Sequence, residues 1–381
     1  MKRALIVATV GGFLSQFEMN DVKILKEKGY EVHYAANLKN NMYQIDCEKL
    51  QQNHVFLHDI HIEKSPLKLH KHWKVCEQLK KLIEELQIDL LHCHTPAGGV
   101  VARVAAHLSK REVYVIYTAH GFHFYKGAAI GNWMYYPIEK ILARITDCLV
   151  TINKEDFQRA KRFQYKKNGY AIQIPGVGID LQHFYPRPEM RDKMRNELKI
   201  PKEGLHVITI GEINRNKNLE VAIKSLGRLK NPDIYYSIFG RGKSVEYIKS
   251  VIEKSEIREN IRYLGYCNEP ENVLQSADVF LFPSIREGLG MAALEALACG
   301  VPVIALDNRG TREYMQNEVN GFVCNYNLAD EFAEKLERAY GMYKNKTLKT
   351  FFHDTCVRSV KKFETCETEK IMREVYERAD R

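Results

Sequence analysis

The sequence predicts an α/β protein built from two doubly wound, Rossmann-like parallel-sheet domains that face each other across a cleft, with a C-terminal helical tail. Three observations predict it. Short apolar runs rich in β-branched residues alternate with amphipathic helical stretches along most of the 381 residues, the pattern of a parallel sheet covered on both faces. A break rich in glycine and proline interrupts the alternation once, near the middle. Beyond about residue 328 only helical patterning remains. At ~150 residues per domain, the length suits two sizeable cores.

In the first half the apolar runs fall at 3–10, 31–36, 54–60, 88–93, 113–118 and 147–152, with helical stretches near 16–28, 66–87, 97–109, 133–145 and 154–165 between them. Lys2-Arg3 ahead of Ala4–Val10 imitates a secretory signal. However, Gly11-Gly12 and then Gln16, Glu18, Asn20 and Asp21 follow without a small-x-small cleavage site, so a buried first strand is expected. Gly176-Val177-Gly178-Ile179-Asp180, Pro186 and Pro188 mark a hinge. The alternation restarts at 205–211, 233–239, 260–264, 278–282, 302–306 and 320–324. The expected division is therefore 1–185, 186–360 and a last helix, 361–381, packing back on the first domain.

Composition narrows the classes. With 45% hydrophobic and 28% charged residues, the chain is an ordinary globular one rather than a disordered or fibrous one. No apolar stretch approaches the ~20 residues of a membrane-spanning helix. Nine scattered cysteines without a CxxC pair suit free thiols in a reducing compartment, so a cytoplasmic location is expected. Residues 1–185 carry 25 Lys and Arg against 18 Asp and Glu, which is +7 of the total +9. That basic half suits phosphates or an anionic lipid surface, or is an ordinary solvated surface.

In open α/β sheets, ligands bind beyond the carboxyl ends of the strands. The richest such loop follows the run 278–282: Pro283-Ser284-Ile285-Arg286-Glu287-Gly288-Leu289-Gly290, then a helix from Met291. A glycine-flanked turn feeding a helix N-terminus suits a phosphate or diphosphate. Glu287 and Glu295 sit eight residues apart, roughly 10 Å along a helical rise, where carboxylates could accept hydrogen bonds from sugars at both ends of a diphosphate. After the run 205–211 comes Gly211-Glu212-Ile213-Asn214-Arg215-Asn216-Lys217-Asn218, whose cations could neutralise a leaving diphosphate. His120 follows the run 113–118. Gly11-Gly12 permits close backbone approach, and Asn308-Arg309-Gly310 could face the diphosphate or be a plain surface turn. His92-Cys93-His94 lacks a second ligand cluster at zinc-like spacing, so no metal is expected.

Glu287–Glu295, together with Ala277–Ser284 and Glu295–Ile304 around it, resembles the E-x7-E motif of the retaining glycosyltransferases of family 4, which have the GT-B fold. Thr118-Ala119-His120-Gly121-Phe122-His123-Phe124 and Pro137-Ile138-Glu139-Lys140 resemble members that build bacterial capsular or exopolysaccharide repeat units. The resemblance implies that Glu287 contacts donor-sugar hydroxyls and Glu295 holds the ribose. Backbone amides of Gly288, Leu289 and Gly290 would contact the sugar and diphosphate, Lys217 would be the diphosphate lysine, and His120 would line the reaction centre. Where many members carry arginine directly after the glycine, this chain has Glu212; Arg215 could supply that charge.

What the resemblance implies is transfer from a nucleotide-diphosphate donor, a UDP-sugar first, to a lipid-linked saccharide, with retention and without a metal or other cofactor. The absence of Asp-x-Asp agrees with a metal-free site. A UDP-sugar 2-epimerase of the same fold and a non-catalytic donor-binding scaffold are the alternatives. No nucleic-acid motif is present. Two basic stretches, Lys64–Lys81 with Leu67, Leu69 and Trp73, and Lys161–Lys167 with Phe163 and Tyr165, could lie peripherally on the inner face of the cell membrane. The competing reading makes Leu69, Trp73, Cys76, Leu79 and Ile83 a core-facing stripe.

Overall fold

The apolar runs become the strands of two separate parallel sheets, one in each of two units that contain residues Met1–Gly178 with Thr365–Arg381, and Ile179–Glu364. The computed structural model describes residues 1–39, 45–63 and 69–380. Lys64, Leu67 and Lys68 of the first basic stretch, and the side chain of Leu69, lie outside the described residues.

The first unit begins with β1 (Arg3–Val7), α1 (Phe13–Phe17), α2 (Met19–Glu27), β2 (Glu31–Ala36), α3 (Cys47–Gln52), β3 (Phe56–Asp59) and α4 (Leu69–Glu85). It continues with β4 (Leu90–His94), α5 (Pro96–Leu108), β5 (Tyr114–Ala119), a 3-10 turn at Ile130–Met134 running into α6 (Tyr135–Ala143), β6 (Cys148–Thr151), α7 (Lys154–Ala160) and β7 (Tyr170–Gln173). The strand order is β3-β2-β1-β4-β5-β6-β7, with every pairing parallel. Strands β1, β4 and β6 are buried almost throughout, which is why they read as unbroken apolar runs. The half-buried edge strand β7 has no such run and was not expected.

The second unit contains α8 (Arg191–Glu197), β8 (Leu205–Ile210), α9 (Leu219–Leu229), β9 (Ile234–Phe239), α10 (Val245–Glu253) and β10 (Ile261–Gly265). Then come α11 (Pro270–Val273), β11 (Val279–Phe282), α12 (Met291–Ala298), β12 (Val303–Leu306), β13 (Gly321–Cys324), α13 (Ala329–Lys344) and α14 (Leu348–Val360). Its sheet runs β10-β9-β8-β11-β12-β13. The order reverses between β8 and β11, so the loops after these two strands diverge at a switch point. The final helix, α15 (Thr365–Ala379), belongs to the first unit and packs on α2.

Helix α4 corrects one expectation. Val75, Cys76, Leu79 and Ile83 are buried, but Trp73 is 59% exposed. At 3.6 residues per turn Trp73 lies about 100° from the centre of that buried arc, too far round to share it. In the second basic stretch, Phe163 belongs to the core. Among the described residues, no helix is long and apolar enough to cross a membrane.

Candidate functional site

At the switch point of the second unit, two loops are stitched together by asparagines. The Asn216 side chain donates to the Arg286 carbonyl (2.7 Å) and accepts from its N–H (3.1 Å), while Asn218 Nδ2 donates to the Pro283 carbonyl (3.0 Å). The Ile285 N–H adds a bond to the Asn216 carbonyl (2.9 Å). Asn218 is left-handed (φ 57°), which asparagine tolerates better than most residues. The stitching holds Lys217 against the loop after β11: its Nζ donates to Glu287 Oε1 at 2.7 Å and sits 5.0 Å over the Phe282 ring. Both side chains are mostly but not wholly covered, at 18% and 14% exposure, so the pair can meet a ligand.

Gly290 caps α12 with φ +98°. A Cβ there would come within 2.9 Å of both the Phe282 ring and the Tyr314 hydroxyl. Glycine is thus required both by the backbone conformation and by the packing. It sets the positive end of the α12 dipole at the carboxyl edge of β11, beside Gly288 and the buried Leu289. Arg309 is buried and donates from Nε to the Glu287 carbonyl (3.2 Å), so it braces this loop. Arg215, in the 3-10 turn Arg215–Lys217, is exposed, and Glu212 is half-buried. Ser284 Oγ is buried without a hydrogen-bond partner, directly beside these groups.

Glu295, half-buried on α12, has its carboxyl pushed up to about 7 by burial; Lys217 opposes this shift and Glu271 adds to it. The folded protein therefore holds a proton there between the ordinary carboxylate range and about pH 7. Ionising Glu295 above pH 7 costs stability, and this cost is absent once the pH falls below the unfolded value. If the carboxylate binds hydroxyls, ligand affinity should rise as pH rises from 6 to 8. Nucleotide titration calorimetry on the wild type and Glu295→Gln checks this; the same pH dependence in both would remove Glu295 from the binding site.

The first unit gathers a different cluster at the carboxyl ends of β4 and β5. Because strand side chains alternate, His92 and His94 share one face of β4, and Cys93 enters the core on the other. His94 Nδ1 lies 3.1 Å from His120 Nε2, and Glu18 Oε1, from the junction of α1 and α2, lies 3.3 Å from His120 Nε2. His92 bonds the Tyr376 hydroxyl of α15 (2.8 Å) and Thr118 Oγ1 (2.7 Å), with Asp21 at 3.3 Å. The Phe13 ring lies against both His94 and His120. Burial lowers His92 to about 3 and His120 to about 4, and holds His94 well below its ordinary value. Burial likewise raises the carboxyls of Glu18 and Asp21.

His120 is thus a neutral imidazole, 22% exposed, able to exchange hydrogen bonds with a polar ligand. Gly11 and Gly12 are buried beside this cluster's α1. Gly11 donates to the Asn37 carbonyl (3.0 Å), and a Cβ on it would come within 3.0 Å of that oxygen. Glu18–His94–His120 and Asp21–His92–His94 each bring three possible metal-ligand atoms within 4.8 Å. Within them the His94–His120 contact is at hydrogen-bonding distance, whereas Glu18 Oε1 and His94 Nε2 are buried without a hydrogen-bond partner. The sequence left Glu18, Asp21 and the stitching asparagines without roles. The one available signal was His92-x-His94 at strand period beside His120.

Comparison with known proteins places these features. Residues 190–348 match the Glycosyl transferases group 1 family and residues 4–153 the Glycosyl transferase 4-like family. The chain is 38% identical over 344 residues to Bacillus subtilis (strain 168) EpsD, named as a glycosyltransferase, covering 89% of this chain and 87% of that one. It is 28% identical over 278 residues, 71% of each chain, to an Escherichia coli UDP-Gal:alpha-D-GlcNAc-diphosphoundecaprenol alpha-1,3-galactosyltransferase. Among solved structures, sucrose-phosphate synthase from Thermosynechococcus elongatus superimposes with TM-score 0.81 at 17% identity, over 99% of both chains. Anabaena HepE in complex with UDP and glucose does so with TM-score 0.77 at 16% identity, over 99% of this chain and 100% of that one. The shared fold is GT-B.

Proposed function

The chain belongs to the group 1, family-4-like glycosyltransferases, and from that premise we propose that it moves a sugar from a UDP-sugar to a lipid-linked saccharide, with retention of configuration and without a metal. The observation that carries this reading is the Lys217–Glu287 pair, 2.7 Å apart beside the N-terminus of α12. It joins one cation, one hydroxyl-binding carboxylate and a helix dipole at one strand edge. The relative that acts on a diphosphoundecaprenol-linked acceptor with UDP-Gal, and HepE with bound UDP, support the choice of donor and acceptor.

In this reading Glu287 accepts hydrogen bonds from donor-sugar hydroxyls and Glu295 from the ribose. The amides of Gly288, Leu289 and Gly290 meet the diphosphate, with Arg309 bracing their loop and Arg215 adding charge from the exposed turn. As the bond between the sugar and the diphosphate breaks, Lys217 offsets the charge gathering on the departing oxygen. That oxygen takes the acceptor hydroxyl's proton while the acceptor oxygen attacks from the same face. Neutral His120, steadied by His94 and Glu18, orients a sugar hydroxyl, and Gly11 and Gly12 let the backbone come close to a substrate. The reaction belongs at the cytoplasmic face of the membrane, where a lipid-linked acceptor is presented.

Incubating the protein with UDP-sugars and a polyprenyl-diphosphate saccharide, with and without chelator, tests the reading. The expected product keeps the donor's anomeric configuration by NMR, and chelator leaves the rate unchanged. Conversion of the donor without acceptor would indicate an epimerase instead. Binding of UDP without any turnover would indicate a scaffold.

A further inference from the structure

Helix α6 is built inside out. Its buried side carries a charge: Glu139 Oε2 accepts from Nη2 of fully buried Arg103 at 2.8 Å, beside Leu142 and Ala143. Its exposed side carries apolar residues beside Lys140 and Arg144. Ile130 (91% exposed), Met134 (60%), Ile138 (38%) and Ile141 (64%) project into solvent, spaced by four, four and three residues through the 3-10 turn and α6. The four-three spacing keeps Met134, Ile138 and Ile141 on one face of α6, while Ile130 is exposed at the start of the 3-10 turn ahead of it and Pro137 in the same stretch. Single exposed apolar residues are ordinary, but a contiguous stripe marks an interaction surface.

Charge identifies what the stripe meets. Between residues 126 and 144 the only acid is Glu139, and it is buried on Arg103. The exposed charges of this segment, Lys126, Lys140 and Arg144, are all cationic. Trp133 lies at the edge of the stripe, 37% exposed, with the Arg159 guanidinium 4.9 Å from its ring centroid. An apolar stripe rimmed by cations, with an indole at its margin, fits the boundary between acyl chains and anionic headgroups. A second copy of the chain docked symmetrically on this face would set Lys140 and Arg144 near their own counterparts.

We propose that Ile130, Met134, Ile138 and Ile141 insert into an anionic lipid leaflet, with Lys126, Lys140 and Arg144 on its headgroups. The membrane contact expected from the basic stretches 64–81 and 161–167 is thereby assigned chiefly to α6. The proposal rests on the reading of a membrane-presented acceptor, yet it is tested without turnover.

The test is co-sedimentation of the full chain with phosphatidylcholine vesicles, with and without about 30% phosphatidylglycerol. The wild type should bind the anionic vesicles and leave the neutral ones nearly bare. The double variant Ile138→Gln/Ile141→Gln should bind at least about tenfold more weakly. Its thermal transition should change little, because Ile141 is 64% exposed and Ile138 38%. Lys140→Glu/Arg144→Glu should lose the preference for anionic lipid. Equal vesicle binding by the wild type and the isoleucine double variant would overturn the proposal. So would a wild type that ignores vesicles but self-associates in the ultracentrifuge through these residues. Loss of UDP binding in the wild type would instead count against the donor site, leaving the lipid result standing.

Discussion

Alanine at Lys217 is expected to lower turnover about 10³-fold, the scale on which single preorganised charge-stabilising groups act, with little change in melting temperature. The ammonium donates directly to the Glu287 carboxylate at 2.7 Å. Arg309 is turned onto the Glu287 carbonyl, and Arg215 is exposed in the turn ahead. Truncation also leaves the mostly covered Glu287 carboxylate without the partner it has at 2.7 Å, so an unbalanced negative charge would face the diphosphate. Because the charge on the leaving oxygen grows during the reaction, the loss should appear in kcat and kcat/KM together rather than in donor KM alone. Steady-state kinetics on Lys217→Ala, with thermal unfolding as the control for folding, measures both. Turnover within twofold of wild type would sink the assignment of the donor site.

Methionine at Arg103 should have the largest effect on stability. Arg103 is fully buried, donates from Nε to the Gly99 carbonyl (2.8 Å), reaches Glu139 at 2.8 Å and lies 4.0 Å from the centre of the Tyr117 ring. Breaking a buried ion pair on one side strands the other charge and costs about 3–5 kcal/mol. At roughly 2–4 °C per kcal/mol for a unit of this size, calorimetry should show the first unit melting about 10 °C lower. Arg103→Met combined with Glu139→Gln should recover part of that loss, since no lone charge remains. A single variant that melts with the wild type would show that Glu139 reaches water.

How much of this was legible in the sequence depends on whether the interacting residues are neighbours in the chain. The strands were, because a strand buried on both faces must be apolar throughout; Ala4–Val7 and Val279–Phe282 leave no alternative. The strand–turn–helix geometry of the loop proposed to hold the donor was, because Glu287, Gly288–Gly290 and Glu295 lie within one continuous segment. The histidine cluster was not. Glu18, His94 and His120 come from three separate segments, and only the sheet order β1-β4-β5 sets their strands side by side. Edge strand β7 escaped because half-buried positions do not demand apolar residues. For α6, periodicity alone places Ile138 and Ile141 in a core. The Arg103–Glu139 pair explains why the helix turns its acidic residue inward.

The chain leaves the first unit at Gly178 and re-enters it at Thr365, and this imposes an order in time. During synthesis at about 5–20 residues per second, the intervening segment occupies the ribosome for roughly 10–40 s. Until then α2 lacks the helix that covers it, and His92 lacks Tyr376. The whole second unit can be finished and folded first, although it is encoded later. A lesion in the last fifteen residues would therefore mature as an intact second unit attached to a first unit that never closes.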